Sequence, residues 1–532
     1  LDTFFIVLRN NPNSVDALSF ISYIYMETGN YKEALIYLSK LDNLKIKSPD
    51  IFYNRGICLF KLGNYRDAID SYKSSIKLKH DFYEAYIQLG QLLKKVNKLD
   101  EAIIILEQAL NCVVQKDSIC VNISEIFFLK RDYKNSKKYA KNALKFNNEN
   151  FLAIINIANC LIEEGQIDEG IKELENINKT KPNNPIILNN LGFAYKYNGD
   201  YSRAIIEYKK AIKLNPNFKD ALFNLSILEL SINNFSEGWV NYEHRWGTEK
   251  KFSIRMAFNK PVWNKNLGFN RILIWGEQGI GEQLLFSSVL ADLKLKFKKV
   301  IVCVNDKLVD LFKENFKDFE IYPLSKKIDE SRFDYHLPLC SLGLYFRNNI
   351  KDFKFNKLNV GEGLNIEKKN KKLKCALTWK RRNLEFKDKT SINLDNLKDI
   401  LLMDEIEFIN IQYTNEDDEV KKFEKENNFV LSKVNGLDTF NDLYNLARFI
   451  NKCDFVISIS NTTAHLSAAL GKPTYLILPK NRGKLWYWDN DFNNKNLWYP
   501  SIVKFIQKSN NDWTDPIRNL KNYIINNHIY LN

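Results

Sequence analysis

The chain has 532 residues, too many for one ordinary hydrophobic core, so two or three domains are expected. It is 45% hydrophobic and 27% charged, and no run of 18 apolar residues occurs, which excludes a membrane-spanning helix. The formal charge of +14 favours a phosphate-bearing ligand, an anionic surface such as that of the inner membrane, or nucleic acid, unless it only reflects a lysine- and asparagine-rich composition. No basic block interleaved with aromatic residues is present, so no nucleic-acid partner is expected.

The eight cysteines are scattered and form no C-x-x-C pair. This usage indicates a reduced, cytoplasmic compartment and predicts neither a zinc site nor a disulfide framework. No signal peptide is visible, but the chain opens on Leu1 rather than Met, which leaves open whether an upstream piece is missing.

The first half of the chain repeats with a period of 34 residues. A step of 34 from Gly29 meets residues most of which suit a helix-ending turn with positive φ, and a step from Tyr31 meets only apolar or aromatic residues. The third series contains only small residues: Ala34, Ala68, Ala102, Ser136, Gly170, Ala204 and Gly238. The period and residue types resemble the tetratricopeptide repeat, a pair of antiparallel helices. Residues 1–250 are therefore predicted to form an α solenoid of about seven repeats.

A carboxamide recurs at one point of the first helix of each pair. The residues are Asn54, Gln88, Asn122, Asn156, Asn190 and Asn224. A row of carboxamides on a concave face can pair with an extended peptide backbone, and it resembles the asparagine ladder of the solenoid attached to protein O-GlcNAc transferases. The alternative is that these side chains make hydrogen bonds between neighbouring helices.

The second half alternates short apolar runs with helical patterns, which predicts parallel sheets with right-handed crossovers. Residues 251–268 lack a helical stripe and are interpreted as a linker. The runs RILIW, KVIVCV and FDYHL predict strands of a first Rossmann-like lobe over residues 269–365. The runs KCALTW, EFINIQ, DFVISI and PTYLIL predict a second lobe over residues 366–532. Ligands of such sheets bind at the carboxyl ends of the strands.

The stretch ILIWGEQGIGEQLLF reads as a strand, a tight turn and a helix. It is neither G-x-G-x-x-G nor a Walker A loop, so a dinucleotide or ATP cradle is not expected. The turn residues Glu277, Gln278, Gly279 and Gly281 are candidates for the acceptor side. Glu282 opens the helix, where it is either a general base near an acceptor hydroxyl or only a helix cap.

Two further stretches point to a phosphate-bearing ligand. In DFVISISNTTAHLSAALGKP, a strand ending at Ser460 meets a helix start formed by Asn461, Thr462 and Thr463, with His465 in its first turn. His465 is interpreted as a phosphate contact, the alternative being a buried histidine bonded to a carbonyl.

A basic cluster follows the strand KCALTW. Lys380, Arg381 and Arg382 stand at that strand's carboxyl end and could neutralise a leaving diphosphate, or form a solvated charge cluster.

These three stretches, in this order, resemble the ADP-heptose:lipopolysaccharide heptosyltransferases, and more closely their bacterial branch fused to tetratricopeptide repeats. FSEGWVNYEHRW at 235–246 and NLWYPSIVKFIQKSNNDW at 496–513 match as well. The resemblance implies a GT-B fold, a nucleotide-sugar donor as substrate with no cofactor or metal, and inversion at the sugar carbon. By position, Glu282 falls where the family usually has an Asp base. Ser460-Asn461 replaces an Asp-Thr pair and so removes a carboxylate from the donor site.

The resemblance implies that Glu282 takes the acceptor proton while Lys380, Arg381, the start of the helix at Thr462 and His465 stabilise the leaving nucleoside diphosphate. The solenoid would present the acceptor, a polypeptide or a surface glycan. One rival hypothesis is a non-catalytic solenoid scaffold with a degenerate transferase module. Another is a protein O-glycosyltransferase that uses a UDP-sugar.

Overall fold

A computed structural model describes residues 1–248, 255–294, 296–361, 372–382, 390–481, 483–509 and 512–529. The chain divides into two compact units, Leu1–Ala194 and Tyr195–Asn532. Within the described residues, no helix is long and apolar enough to cross a bilayer.

The repeat region is a series of antiparallel helix pairs, which confirms the predicted α solenoid. Its helices are α1 (Asp2–Asn10), α2 (Val15–Glu27), α3 (Tyr31–Asn43), α4 (Pro49–Lys61), α5 (Tyr65–Leu78), α6 (Tyr83–Lys95), α7 (Leu99–Cys112), α8 (Lys116–Leu129), α9 (Tyr133–Phe146), α10 (Phe151–Glu164), α11 (Ile167–Thr180), α12 (Pro185–Asn198), α13 (Tyr201–Leu214), α14 (Lys219–Ser231) and α15 (Phe235–Tyr242). The series that starts at Tyr31 supplies the first residue of every second helix from α3 to α15.

The turn between the helices of each pair has the predicted left-handed residue. Its φ is positive at all seven positions of the series: Gly29, Gly63, Asn97, Arg131, Gly165, Gly199 and Asn233. Glycine adopts this conformation without strain, and Asn tolerates it better than most residues. The small residue of each repeat is buried where two helices approach. A Cβ on Gly170 would lie 2.9 Å from the carbonyl oxygen of Ala158, so the helices meet there through backbone.

The first sheet of the second unit is wholly parallel. Its strands are β1 (Arg271–Trp275), β2 (Lys299–Val304), β3 (Glu320–Pro323) and β4 (Tyr335–Pro338), in the order β3-β2-β1-β4. Ile272 is aligned with Val300 on one side and with Tyr335 on the other. The accompanying helices are α16 (Ile280–Leu290), α17 (Val309–Asn315) and α18 (Leu342–Phe346).

The second sheet is also parallel and has six strands. They are β5 (Leu373–Leu377), β6 (Ile406–Asn410), β7 (Ser432–Lys433), β8 (Phe455–Ile459), β9 (Thr474–Leu478) and β12 (Ile502–Ile506). The order β7-β6-β5-β8-β9-β12 is the doubly wound order 3-2-1-4-5-6, whose ligand crevice opens between the first and fourth strands, here β5 and β8. A small antiparallel hairpin joins β10 (Asp491–Phe492) to β11 (Lys495–Asn496). The helices are α19 (Lys398–Leu401), α20 (Asp417–Asn427), α21 (Leu443–Lys452), α22 (Thr462–Ala469) and α23 (Thr514–Ile524).

The last repeat helices share a hydrophobic core with the first sheet. Trp239 of α15 is 1% exposed and donates from Nε1 to the carbonyl oxygen of Arg347 at 2.8 Å. A Cβ on Gly343 would lie 2.7 Å from the Trp239 ring, so the glycine makes room for the indole. The junction sequence is therefore part of the packing of the α/β region.

The segment predicted as a linker also belongs to this region. Residues 249–254 lie outside the described part of the chain. Beyond them, the chain pairs with β4, where Trp263 N donates to His336 O at 2.9 Å and His336 N donates to Pro261 O at 3.2 Å. Trp263 is 1% exposed and packs edge-on against Tyr345.

Candidate active site

The turn after β1 is held by a glutamine from the helix that follows it. Gln283 is buried, donates to Gln278 O at 2.8 Å and accepts from Asn305 N at 2.8 Å. A Cβ on Gly276 would lie 2.6 Å from the Gln283 side chain, so that position requires glycine. Gly276 therefore serves close packing in this turn.

Glu277 lies in a buried ion pair with the end of the repeat region. Arg245 Nη2 donates to Glu277 Oε1 at 3.0 Å, and both side chains are fully buried. Cys340 N donates to the same carboxylate at 3.2 Å, and Arg245 also reaches Ser341 Oγ at 2.7 Å. Burial raises the pKa of Glu277, and the guanidinium of Arg245 opposes that shift. Gln278 likewise faces the repeats, with its Nε2 donating to Tyr242 OH at 2.6 Å.

A pocket of about 480 Å³ opens where the carboxyl ends of the two sheets face each other. The first sheet contributes the start of α16, and the second contributes the segments after β5, β6, β7, β8 and β9. The lining residues are Gly279, Ile280, Gly281, Glu282, Arg381, Arg382, Tyr413, Phe440, Ser460, Asn461, Thr462, His465, Leu485 and Tyr487.

Glu282 is the carboxylate that the first sheet presents to this pocket. It lies in the first turn of α16, is half-buried, and accepts a hydrogen bond from Tyr487 OH to Oε1 at 3.2 Å. A Cβ on Gly279 would lie 2.9 Å from Glu282 Oε2, so the carboxylate folds over that glycine. An ionised group at a helix start is stabilised by the unpaired backbone N–H groups there.

The start of α22 faces Glu282 from the second sheet. Asn461 is the N-cap, and its Oδ1 accepts from Ala464 N at 3.1 Å while its Nδ2 donates to Thr378 Oγ1 at 3.1 Å. Thr462 lines the pocket, whereas Thr463 is 2% exposed. Ser460 is buried, and its Oγ accepts from Trp488 Nε1 at 2.9 Å. The fixed cap leaves the remaining N–H groups of the first turn for an anion.

Cations gather at one side of the pocket. Arg381 and Arg382 line it, and Arg382 lies over the Phe440 ring with Cζ 4.8 Å from the centroid. Lys307, which follows β2, lies over the same ring at 3.2 Å and donates to Phe440 O at 2.8 Å. Lys380 is oriented differently, since its Nζ donates to Asn393 Oδ1 at 2.5 Å and pairs with Glu419 at 3.2 Å.

His465 is enclosed by tyrosines. It is 2% exposed, with Nε2 3.1 Å from Tyr487 OH and Nδ1 3.2 Å from Tyr499 OH. Burial, reinforced by the positive charge of Arg381, lowers the pKa of His465 from 6.5 to about 3. The imidazole is therefore neutral at physiological pH, and both ring nitrogens already face hydroxyl groups.

The predicted site residues thus divide into two sets. The pocket brings together nine of them: Gly279, Gly281, Glu282, Arg381, Arg382, Ser460, Asn461, Thr462 and His465. The other four from this part of the chain do not line it: Glu277, Gln278, Lys380 and Thr463. Sequence reasoning did not single out Tyr413, Phe440 and Tyr487. The aromatic run LWYW at 485–488 was the available signal for the last of these.

The repeat carboxamides are half-buried on the first helices of their pairs. Asn122 Nδ2 and Asn190 Nδ2 donate to carbonyls one turn earlier in their own helices, at 2.9 and 2.8 Å. Asn156 Nδ2 reaches the preceding helix pair, 3.4 Å from Val121 O and 3.3 Å from Ser124 Oγ. Asn122, Asn156 and Asn190 therefore make bonds within the solenoid while keeping part of their surface exposed.

The fold and pocket define a helical repeat protein continued by an α/β region with a polar crevice. Comparison with known families identifies the repeats. The tetratricopeptide repeat family matches residues 15–45, 49–82, 83–111, 127–189 and 185–218. The chain therefore carries tetratricopeptide repeats.

Curated relatives share modest identity. Protein FlbA of Caulobacter vibrioides is 22% identical over 421 residues, covering 67% of this chain and 70% of that protein. BBSome complex member BBS4 of Bos taurus is 22% identical, covering 44% of this chain and 47% of its own length. Protein O-mannosyl-transferase TMTC3 of Homo sapiens is 31% identical, covering 39% of this chain and 24% of its own length. The residues before β1 are about half of the chain, so part of the FlbA match falls within the α/β region.

Two tetratricopeptide repeat structures align with less than half of this chain. A tetratricopeptide repeat protein from Parabacteroides merdae aligns with a TM-score of 0.40 and 14% identity, covering 44% of this chain and 94% of its own. YrrB, described as a TPR protein with an unusual peptide-binding site, aligns with a TM-score of 0.26 and 20% identity, covering 35% of this chain and 94% of its own.

Proposed function

We propose that this chain is a glycosyltransferase of GT-B architecture that moves a sugar from a nucleotide-sugar donor to an acceptor hydroxyl. The observation that carries the proposal is the pocket between the two parallel sheets, in which Glu282 faces Arg381 and the start of α22. A carboxylate opposite an anion-binding helix start is suited to removing a proton on one side and stabilising a diphosphate on the other. The relative TMTC3, named a protein O-mannosyl-transferase, supports an association of such repeats with glycosyl transfer.

The donor would occupy the second sheet's side of the pocket. Its diphosphate would accept from the first-turn N–H groups at Thr462 and from the guanidinium of Arg381. Tyr413 and Phe440, whose rings stack at 6.4 Å with an interplanar angle of 22°, offer an apolar surface for the base. Arg382 adds positive charge at the same edge. The diphosphate departs with its negative charge neutralised by these groups.

The acceptor would approach from the first sheet's side. Glu282 takes the hydroxyl proton as the oxygen attacks the anomeric carbon, and the bond from that carbon to the diphosphate oxygen breaks on the opposite face. The proton ends on Glu282 and the electron pair leaves with the nucleoside diphosphate. A single displacement of this kind inverts the anomeric configuration.

The composition of the donor side bears on the choice of sugar. Ser460 stands at the position of a family carboxylate, and its Oγ is engaged by Trp488 Nε1. A hydroxyl that already accepts from Trp488 is a weaker acceptor for sugar hydroxyls than a carboxylate, so we expect a donor other than ADP-heptose.

The proposal is tested with a panel of nucleotide sugars, measuring nucleoside diphosphate release with and without acceptor peptides and glycans. Glu282→Gln keeps the size of the side chain and removes the base, so we expect transfer to fall about 10²- to 10⁴-fold while donor binding persists. Glu314→Gln is the matched control, because Glu314 is an exposed glutamate of α17 that pairs with Lys317. Equal activity in wild type and Glu282→Gln would refute the assigned role.

A second function is favoured by the repeats themselves: binding of a polypeptide. Tetratricopeptide solenoids typically bind peptides or proteins, and the half-exposed carboxamides offer donors and acceptors to an extended backbone. If the chain is a scaffold without catalytic activity, neither wild type nor Glu282→Gln should turn over any nucleotide-sugar donor. Both proteins should still bind the peptide. Pull-down with a peptide library, comparing wild type with Asn54→Ala and Gln88→Ala, measures this directly.

A further inference from the structure

Four polar side chains form a continuous hydrogen-bonded series at the inner wall of the pocket. Tyr499 OH lies 3.2 Å from His465 Nδ1, His465 Nε2 lies 3.1 Å from Tyr487 OH, and Tyr487 OH lies 3.2 Å from Glu282 Oε1. The two tyrosines and the histidine are each at most 2% exposed. Glu282 comes from the first sheet and the other three come from the second, so the series spans the pocket.

The chemistry of the four groups fixes the direction of every bond. An ionised carboxylate can only accept, so Tyr487 OH donates to Glu282. The oxygen of Tyr487 then accepts from His465 Nε2–H. A neutral imidazole with a proton on Nε2 has a bare Nδ1, which accepts from Tyr499 OH. One tautomer of His465 therefore satisfies all three bonds.

The packing around His465 supports this arrangement. A Cβ on Gly281 would lie 2.7 Å from His465 Cδ2 and 3.0 Å from Nε2, so the ring approaches the start of α16 only because residue 281 is glycine. Trp488 packs against the ring from another side at 4.7 Å between centroids. The charged and titratable groups facing the ring are Arg381, Tyr487 and Tyr499.

We propose that Tyr499, His465 and Tyr487 are positioning residues that orient the Glu282 carboxylate for proton abstraction. The proposal rests on the proposed function of Glu282 and assigns His465 a role different from the phosphate contact expected from the sequence. Tyr487 supplies a hydrogen bond to the carboxylate. His465 keeps the hydroxyl of Tyr487 pointing at Glu282 by occupying its lone pair, and Tyr499 selects the tautomer of His465.

The test in catalysis is Tyr487→Phe, which removes a single oxygen atom. We expect kcat to fall about 10- to 100-fold, because a hydrogen bond to a charged group is lost. We expect the donor KM to change by less than about threefold, because the substituted hydroxyl contacts the base rather than the diphosphate. Tyr201→Phe, at the start of α13, is the control. A Tyr487→Phe protein with the wild-type kcat, or one whose donor KM rises as much as its kcat falls, would overturn the proposal.

The tautomer of His465 is measured without any substrate. In ¹⁵N-histidine-labelled protein, assigned with His465→Gln, we expect one protonated and one bare ring nitrogen at every pH from 5 to 8. Tyr499→Phe removes the hydroxyl that donates to Nδ1, so both tautomers of His465 should become populated. The chemical shifts of the two ring nitrogens should then move toward each other. A doubly protonated His465 at pH 6, or the opposite tautomer, would overturn the proposal even if Tyr487→Phe fails to fold. If no nucleotide sugar gives turnover while the tautomer is as expected, the glycosyltransferase assignment fails and the hydrogen-bonded series stands.

Discussion

Replacing Arg245 by Met should destabilise the second unit strongly. Arg245 is fully buried, and its guanidinium holds Glu277 at 3.0 Å, Glu243 at 2.7 Å and Ser341 at 2.7 Å. Met keeps the apolar volume but leaves the buried Glu277 carboxylate without its counter-ion, although Cys340 N still donates to it at 3.2 Å. Removing one member of a buried pair typically costs about 3–5 kcal/mol, because the other charge stays buried without compensation.

Glu277→Gln perturbs the same contact less. Glutamine retains an oxygen that accepts from Cys340 N, and Arg245 keeps Glu243 as a counter-ion. The free energy of unfolding should fall by about 1–3 kcal/mol, which is typical when a buried hydrogen bond is weakened but not abolished. In the double variant Arg245→Met/Glu277→Gln, neither side chain leaves the other as an uncompensated buried charge. The loss of unfolding free energy should therefore be smaller than the sum of the two single losses by about 1–3 kcal/mol.

The assay is urea unfolding followed by tryptophan fluorescence. All nine tryptophans lie at or beyond residue 239, so the signal reports only on the second unit. For Arg245→Met the midpoint should fall by on the order of 1 M. Arg271→Met, which removes a more exposed pair with Asp334, is the control and should shift the midpoint much less. Equal shifts in the two variants would refute the argument that the buried pair fixes the turn after β1.

Three further predictions concern His465, Gly281 and Asn156. The folded-state pKa of His465 lies at about 3, below its unfolded value of 6.5, so stability should fall as the pH drops from 6.5 toward 3, by about 1.4 kcal/mol per pH unit for this group. His465→Gln should flatten that slope in denaturation curves recorded between pH 7 and 5, and an unchanged slope would contradict the neutral histidine. Gly281→Ala should cost about 1–3 kcal/mol in the same fluorescence assay, because its Cβ overlaps the His465 ring, and wild-type stability would show that the ring can move aside. Asn156→Ala should destabilise the first unit by about 0.5–1.5 kcal/mol by far-ultraviolet circular dichroism if its contacts with Val121 and Ser124 matter, and a loss of peptide binding alone would favour the ladder interpretation.

The repeats were predictable because one local geometry recurs. Each helix pair needs a small residue where its helices cross and a left-handed residue where the chain turns, so both appear in the sequence at a fixed spacing. At Arg131 the turn takes φ +62° without the residue type that usually signals it. There the period predicted the conformation, and the residue alone would not have done so.

The strands that frame the site were predictable for a similar reason, since buried parallel strands are short continuous apolar runs. KVIVCV coincides with β2 at both ends. The strands β3 and β7 lack such a run because both lie at sheet edges. Ile321 is buried in β3, whereas its other residues are half-buried, and β7 has one half-buried and one exposed residue.

The orientation of the site residues depended on distant partners and could not be read locally. Glu277 and Glu282 flank the same glycines, but Arg245, 32 residues earlier, draws Glu277 into the core. Lys380 and Arg381 are adjacent, and Glu419 on α20 draws only the lysine away from the pocket. In both cases the deciding partner lies on another element, at a separation that a local motif does not specify.

The turn that carries Glu282 is held from two directions, and this links the repeats to the proposed chemistry. On one side Arg245 and Tyr242, at the end of the last repeat, bind Glu277 and Gln278. On the other side the series beginning at Tyr487 binds Glu282 itself. A general base must be held within a fraction of an ångström of its productive position, so loosening either side should lower the rate. The repeat end thus acts as part of the scaffold of the pocket, and we expect Arg245→Met to reduce transfer by more than its loss of folded protein accounts for.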